Sequence, residues 1–156
     1  MILTTHILAG ALIGREINNP YAVAGLAVAM HFVLDLLPHG DYLDKKSKLR
    51  EFWKVAVDLT VGLGTVYAIF FIRDPISNNA LYIKNIAIGI FFSLLPDGTT
   101  FMYWKMGMKF LKPIYIFHQK LHRAPDFSPK RQFCLKNNLF DILISLIAII
   151  TLFSLR

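Results

Sequence analysis

The sequence predicts an all-α fold, a polytopic membrane bundle of about five helices in a single domain that covers residues 1–156. Apolar residues make up 55% of the chain and charged residues 17%, whereas soluble domains carry about 25% charged residues. Long uncharged stretches alternate with clusters of lysine and arginine. No stretch has the pattern of a β-strand, and lipid offers no partner to backbone N–H and C=O groups, so each apolar stretch is expected to be a helix.

The first two predicted helices cover residues 2–17 and 21–37. The first is short for a membrane span, which needs about 20 residues. An Asn-Asn-Pro turn at 18–20 separates the pair. The second helix is expected to end at Pro38, because the proline ring and its missing N–H break a helix.

The third predicted helix covers residues 52–72, and the Asp-Pro pair at 74–75 is expected to end it. Trp53, near its start, is typical of an interface anchor. The fourth predicted helix covers 81–95 and is expected to stop at Pro96, for the same reason that the second helix stops at its proline.

The fifth predicted helix covers residues 139–155 and follows a long basic stretch at 98–138. Within this stretch, a short helix is expected to start at Pro113 and to end before Pro125. Because this stretch is basic, we expect the short helix to lie on the cytosolic surface of the membrane.

Lysine and arginine in the loops predict the orientation of the bundle, because cytosolic loops are the basic ones. The loop after the second helix and the stretch after the fourth are rich in both residues, whereas the loop after the third carries Arg73 and Lys84. The N-terminus is therefore expected in the cytosol and the C-terminus outside, in a prokaryotic cytoplasmic membrane.

The net charge of +7 is explained by basic loops that contact anionic lipid head groups. No nucleic-acid partner is expected, because no basic stripe is interleaved with aromatic residues.

Side chains that can bind a metal fall mainly in the half of the bundle predicted to face the cytosol. With a single cysteine, Cys134, the chain has no thiolate cluster, so nitrogen and oxygen must supply the ligands. His31 and Asp35 are four residues apart and share a helix face, and His118 and His122 repeat this spacing. The candidate metal ligands are His6, His31, Asp35, His39, Asp41, Asp58, Asp97, His118 and His122.

Imidazole and carboxylate together suit a divalent metal such as zinc, manganese or iron, and ligand softness alone does not choose among the three. A bound cation would also offset the cost of carboxylates in hydrocarbon, at least ~2.5 kcal/mol each near the bilayer centre. Structural roles stay open for some residues. A lone intramembrane histidine such as His31 often only forms a hydrogen bond to a neighbouring helix. Asp58 can pair with the lysine one turn earlier. Asp141 can solvate a helix end. Gly10 and Gly14 are typical of a close-packing helix face.

Four short motifs of the chain contain candidate metal ligands. They are Thr5-His6, His31-x-x-x-Asp35-x-x-Pro38-His39-x-Asp41, Pro96-Asp97 and His118-x-x-x-His122-Arg123. As a set they resemble the family of predicted membrane-bound metal-dependent hydrolases, which includes LexA-regulated bacterial inner-membrane members and is distantly similar to zinc-dependent phospholipase C. The resemblance implies a helical fold, divalent metals and hydrolysis of a phosphoester.

We therefore expect a metal-dependent hydrolase that acts on a phosphoester such as a lipid phosphate at the cytosolic face, with membrane lipid as its partner. Asp41 or Asp97 is expected to act as general base, and Lys120 and Arg123 to hold phosphate oxygens. Two other functions stay open. One is a divalent-cation or proton carrier, which intramembrane ionisable groups also mark, and the other is a structural metal-containing membrane protein. A homo-oligomer stays open as well.

Overall fold

The computed structural model describes residues 1–73, 80–125 and 127–154. Over these ranges the chain is all-helical, as the sequence predicts, and it has no named β-strand; an isolated bridge joins Asp41 to Gln132. The helices are α1 (Leu3–Glu16), α2 (Pro20–Asp35), α3 (Trp53–Tyr67), α4 (Ala80–Lys105), α5 (Lys112–Leu121) and α6 (Leu139–Ser154).

Helix α1 lies at the centre of the bundle and contacts α2, α3, α4 and α6. Its apolar residues Ile7, Leu8 and Ala11 are fully buried. They pack into one core with residues from the third helical stretch and from α6, namely Val66, Ile69, Phe70, Ala148 and Leu152. Because α1 is enclosed on several sides, its polar residues reach the interior as well as its apolar ones.

The contact between α1 and α4 is close because glycines lie on both sides of it. A Cβ atom on Gly10 would overlap the backbone of Gly89, and one on Gly14 would overlap the backbone of Asn85. The close-packing face that the sequence predicts at the two α1 glycines is therefore confirmed. Ser93 Oγ, on the same face of α4, donates a hydrogen bond to the His6 carbonyl over 2.7 Å.

Helix α4 does not stop at Pro96, so the predicted end of the fourth helix is wrong. Pro96 is buried inside a helix that continues to Lys105. A proline removes one backbone hydrogen bond, and packing against neighbouring helices outweighs that local cost in a bundle. Two consequences follow. Asp97 is a helical residue, and the irregular part of the basic stretch begins after Lys105 rather than at Gly98.

The other predicted elements agree with the structure to within a few residues. Helix α2 ends at Asp35, before Pro38. A 3-10 turn at Leu49–Phe52 leads into α3, which continues as a π-helical segment at Ala68–Arg73. The predicted short helix corresponds to α5. The predicted end of the third helix at 74–75 and the last residue of the fifth, at 155, lie outside the described residues.

Two helical stretches of the described chain, Leu49–Phe70 and Ala80–Lys105, are long and apolar enough to cross a membrane. Helices α2 and α6 are apolar but shorter. The outer face of α6 is exposed and apolar, with Leu143, Leu146, Ile147 and Ile150 each at least half exposed. By contrast, the buried side chains include histidine, aspartate and asparagine.

Candidate metal centre

The five histidines of the chain come together at one end of the bundle. His6 lies on α1, His31 on α2, and His39 on the segment that follows α2. His118 lies on α5, and His122 caps the C-terminus of that helix. All five side chains are at least 95% buried.

Asp35 is the carboxylate on which these rings converge. Its Oδ2 lies 2.6 Å from Nε2 of His118, 3.1 Å from Nε2 of His31 and 3.8 Å from Nε2 of His122. Its Oδ1 lies 3.5 Å from Nε2 of His6. The side chain of Asp35 is only 1% exposed. One buried carboxylate therefore faces four imidazoles.

Backbone carbonyls orient two of the rings. Nδ1 of His31 donates to the Ser93 carbonyl over 2.7 Å, and Nδ1 of His39 donates to the Leu37 carbonyl over 2.8 Å. Since a carbonyl can only accept, the proton of each neutral ring is on Nδ1, and Nε2 carries the lone pair that can bind a cation. In His39 this nitrogen lies 3.0 Å from Nδ1 of His122. Nδ1 of His118 is 2.9 Å from the Thr100 hydroxyl. Metal-binding histidines are typically held in this way through their other ring nitrogen.

The residues of this cluster fit a divalent cation. His6 is completely buried, and neither of its ring nitrogens has a hydrogen-bond partner in the described chain. Leaving such a group unsatisfied costs about 1–3 kcal/mol. Nε2 of His31 and Nε2 of His118 lie 3.2 Å apart. Nitrogen ligands of a tetrahedral zinc, at about 2.0–2.1 Å from the metal, lie about 3.3 Å from each other.

Three groups within the described chain can each offer three ligand atoms that lie within 4.8 Å of one another. The groups overlap, so together they form one continuous cluster. Their members are His6, His31 and Asp97; then His31, Asp35 and His118; then Asp35, His39 and His122. Seven of the nine ligands proposed from the sequence are thus brought together.

Asp97 lies at the open edge of the cluster. Its Oδ1 is 3.9 Å from Nε2 of His118, and its side chain is 34% exposed. Both residues line a cavity of about 360 Å³, together with His122. The cluster is therefore accessible to a small molecule from this side.

Asp41 lies beside the cluster rather than within one of the three groups. Its Oδ2 accepts a hydrogen bond from Arg131 Nε and its Oδ1 accepts one from the Met1 amine, both over 2.6 Å. Burial opposes the ionised form of Asp41, but the Met1 amine and Arg131 outweigh it and hold the pKa of the carboxyl well below its usual range. Its nearer oxygen is 3.6 Å from Nε2 of His39.

Burial favours the neutral form of the two cluster histidines that lie outside the α-helices, His39 and His122. Burial, reinforced by Arg131, lowers the pKa of His122 to about 3. Burial and the Met1 amine also lower the pKa of His39. Neutral imidazole is the form that binds a metal.

Asp58 is not brought into the cluster. Its oxygens accept hydrogen bonds from Leu3 N over 2.6 Å, Thr4 N over 3.1 Å and Tyr42 Oη over 2.9 Å. The carboxylate therefore satisfies free N–H groups at the start of α1. Lys54, the lysine one turn before Asp58, donates from Nζ to the Tyr42 carbonyl.

Asp141 is fully buried in the first turn of α6. It accepts hydrogen bonds from Ile2 N and from Asn138 Nδ2, over 3.3 and 2.8 Å. The same Asn138 amide donates to the Gly40 carbonyl over 2.8 Å. Asp141 thereby connects the start of α1 to the segments on either side of the cluster.

The two predicted phosphate-binding residues lie in different surroundings. Arg123 lines a second cavity, of about 230 Å³, whose wall also contains His39, His122, Lys130 and Arg131. Lys120 is exposed on α5, and it is not among the described residues that line either cavity. Lys130 and Arg131 meet the site through the folding of a distant segment that no spacing indicates. Thr100 reaches it because α4 continues past Pro96, where the sequence predicts an end.

No family model, no curated protein and no solved structure matches this chain. The resemblance to membrane-bound metal-dependent hydrolases therefore depends on the short motifs alone.

Proposed function

We propose that this protein is a membrane-embedded, metal-dependent hydrolase that acts on a phosphoester such as a lipid phosphate. The observation that carries the proposal is the buried cluster of imidazoles around Asp35, in which His6 has no hydrogen-bond partner in the described chain. Buried titratable groups beside a cavity are typical of functional sites. A cluster open on one side favours catalysis over a purely structural metal, which is enclosed by protein ligands.

The bundle spans the membrane with its site at the cytosolic face. Helices α3 and α4 cross the bilayer, with α2 and α6 beside them and α1 enclosed. Contacts between the basic segment after α2 and the basic stretch after Pro96 support this orientation. Lys105 Nζ donates to the Ser47 carbonyl over 2.7 Å, and Arg131 Nε donates to Asp41. The two basic segments predicted to be cytosolic thus meet at the same end of the molecule, where the histidines also lie.

The cation is held by His6, His31, Asp35 and His118, with His39 and His122 as ligands on the other side of Asp35. Nitrogen and oxygen donors of this kind suit zinc, and also manganese or iron. When bound, a divalent cation makes a water molecule acidic near neutral pH and draws charge from a phosphoryl oxygen.

The remaining polar residues have separate tasks in this proposal. Asp97 is the better general base, because it opens onto the larger cavity, whereas Asp41 is held ionised by Arg131 and the Met1 amine. Arg123 and Lys130 line the smaller cavity beside the cluster and bind phosphate oxygens.

Metal analysis of purified protein, followed by turnover of lipid phosphates and phosphodiesters, tests the proposal. We expect a stoichiometric transition metal and metal-dependent release of the phosphorylated head group. His31→Ala is expected to lose both, while Asp58→Asn keeps the metal. Protein without bound metal, or His31→Ala with unchanged turnover, would contradict the proposal. Stoichiometric metal without any turnover would support the structural alternative, and metal uptake into proteoliposomes would support the carrier.

A further inference from the structure

The larger cavity has two chemically different ends. One end is formed by the metal-binding cluster and its neighbours, including Asp97, His118 and Arg131. The rest of its wall is almost entirely apolar and comes from α3, α4 and the segment after α2. The apolar wall includes Leu43, Phe52, Val55, Leu59, Leu94 and Phe101.

Trp104 on α4 also lines this cavity, and it carries an unsatisfied donor. Its Nε1 is buried and has no hydrogen-bond partner in the described chain. A buried indole N–H normally finds an acceptor, and leaving it without one costs about 1–3 kcal/mol. An acceptor that arrives with a ligand, such as an ester or phosphate oxygen, would satisfy it.

The size and charge of the cavity restrict the ligand. A volume of about 360 Å³ lies in the lower part of the range that small-molecule sites occupy, about 300–1,000 Å³. That space suits one hydrocarbon chain. The cationic side chains of Arg123, Lys130 and Arg131 border the cluster on its other side, so the polar end favours an anionic head.

We propose that this cavity binds one hydrocarbon chain of an anionic lipid, with the head group at the histidine cluster and an acceptor near Trp104. The position of the head rests on the proposed function, whereas the chain site itself does not. The ligand class is therefore a chain-bearing phosphate, held by the apolar wall and oriented by the charge at one end.

Bromine on a lipid chain quenches tryptophan fluorescence only at contact, and the chain has two tryptophans, Trp53 and Trp104. Trp53→Phe leaves Trp104 as the only tryptophan, and Trp104→Phe leaves the 62% exposed Trp53 as a matched control. Both variants are placed in lipid nanodiscs and titrated with monoalkyl phosphates brominated on the chain carbons nearest the phosphate. The same titration is done with metal and after chelation.

We expect saturable quenching of Trp104, with an apparent affinity that rises with chain length until the chain fills the cavity and then levels off. Quenching of Trp53 should rise only in proportion to the bromine in the bilayer. A brominated alkyl trimethylammonium of equal length should bind at least tenfold more weakly, because its head is cationic. Unsaturable quenching of Trp104, or equal affinity for both head groups, would overturn the proposal.

A plugged variant gives a second, independent readout. Gly98 lines the cavity, and a Cβ atom there would meet nothing within 4 Å, so Gly98→Leu adds its side chain from open space at the cavity wall. Gly64→Leu on α3, which is equally unobstructed, is the control. We expect the first to weaken saturable quenching at least tenfold and the second to leave it unchanged. Saturable quenching without lipid-phosphate turnover would support the chain site and contradict the hydrolase. Turnover with unsaturable quenching would support the hydrolase and contradict the chain site.

Discussion

Two aspartates at the same end of the bundle have opposite roles. Asp35 is enclosed by imidazole rings, whereas Asp58 accepts hydrogen bonds from backbone N–H groups at the start of α1. Both lie in apolar helices, and their immediate sequence does not distinguish them. What distinguishes them is the group that each meets in the fold. Asp35 meets imidazole rings from α1, α5 and its own helix, and Asp58 meets a helix N-terminus.

Asp58→Asn should weaken the fold and spare the metal. The amide keeps the shape but loses the charge and one acceptor, so we expect the free energy of unfolding to fall by about 1–3 kcal/mol. Denaturant titration followed by circular dichroism measures the loss, and elemental analysis of the folded protein measures the metal. If the folded variant loses its metal, Asp58 belongs among the ligands after all.

Thr100→Val should weaken metal binding without removing a ligand. The Thr100 hydroxyl lies 2.9 Å from Nδ1 of His118 and holds that ring in place. Loss of such a partner typically costs 10–100-fold in metal affinity, which competition with a chelator measures. Thr99→Val is the matched control, because the Thr99 hydroxyl bonds only the Pro96 carbonyl among the contacts described. Equal affinities for the two variants would show that the Thr100 contact is not needed.

The histidines were predictable from the sequence, and their partners were not. Spacing places His31 and Asp35 on one helix face, and the basic loops predict that the remaining histidines lie at the same end. Arg131, by contrast, meets Asp41 across 90 positions of the chain. That contact depends on how the segment before α6 folds back onto the segment after α2, and no local sequence pattern predicts this path.

At the scale of elements, apolar stretches predict helices well and proline predicts their ends less well. Pro38 lies just beyond the end of α2, but Pro96 is enclosed within α4. The two local sequences are alike, so the difference arises from packing. The continuation of α4 has a functional consequence, because it places Asp97, Thr100 and Trp104 on one helix beside the cavity.

The contact between α1 and α4 should tolerate no side chain at its closest point. A Cβ atom on Gly10 would overlap Gly89, so we expect Gly10→Ala to lower the free energy of unfolding by about 1–3 kcal/mol. Gly25→Ala on α2 is the control, since a Cβ there meets nothing within 4 Å and alanine favours the helix by up to about 1 kcal/mol. Parallel unfolding titrations compare the two. A Gly10 variant as stable as the Gly25 variant would mean that the helices can separate at little cost.

At the scale of the whole molecule, apolar helix faces are exposed and polar side chains are enclosed beside the apolar core. Helix faces that carry Val57, Val61, Leu143 and Ile150 are exposed, while imidazoles and carboxylates are enclosed. Soluble monomers rarely expose apolar patches beyond a few hundred Å². Lipid would cover these faces, and a cation would offset the charge enclosed inside.

The orientation of the bundle can be tested with the protein's own cysteine. Cys134 is exposed in the segment between α5 and α6, on the side of the molecule where the basic segments meet. Cytosolic loops are the basic ones, so a membrane-impermeant maleimide should modify Cys134 in inverted vesicles from a bacterial host. In intact spheroplasts it should modify the protein only after permeabilisation. Cys134→Ser, which removes the only thiol of the chain, is the blank for both preparations. Labelling in intact spheroplasts would place the histidine cluster at the outer face, and the proposed hydrolase would then act on lipid of the outer leaflet.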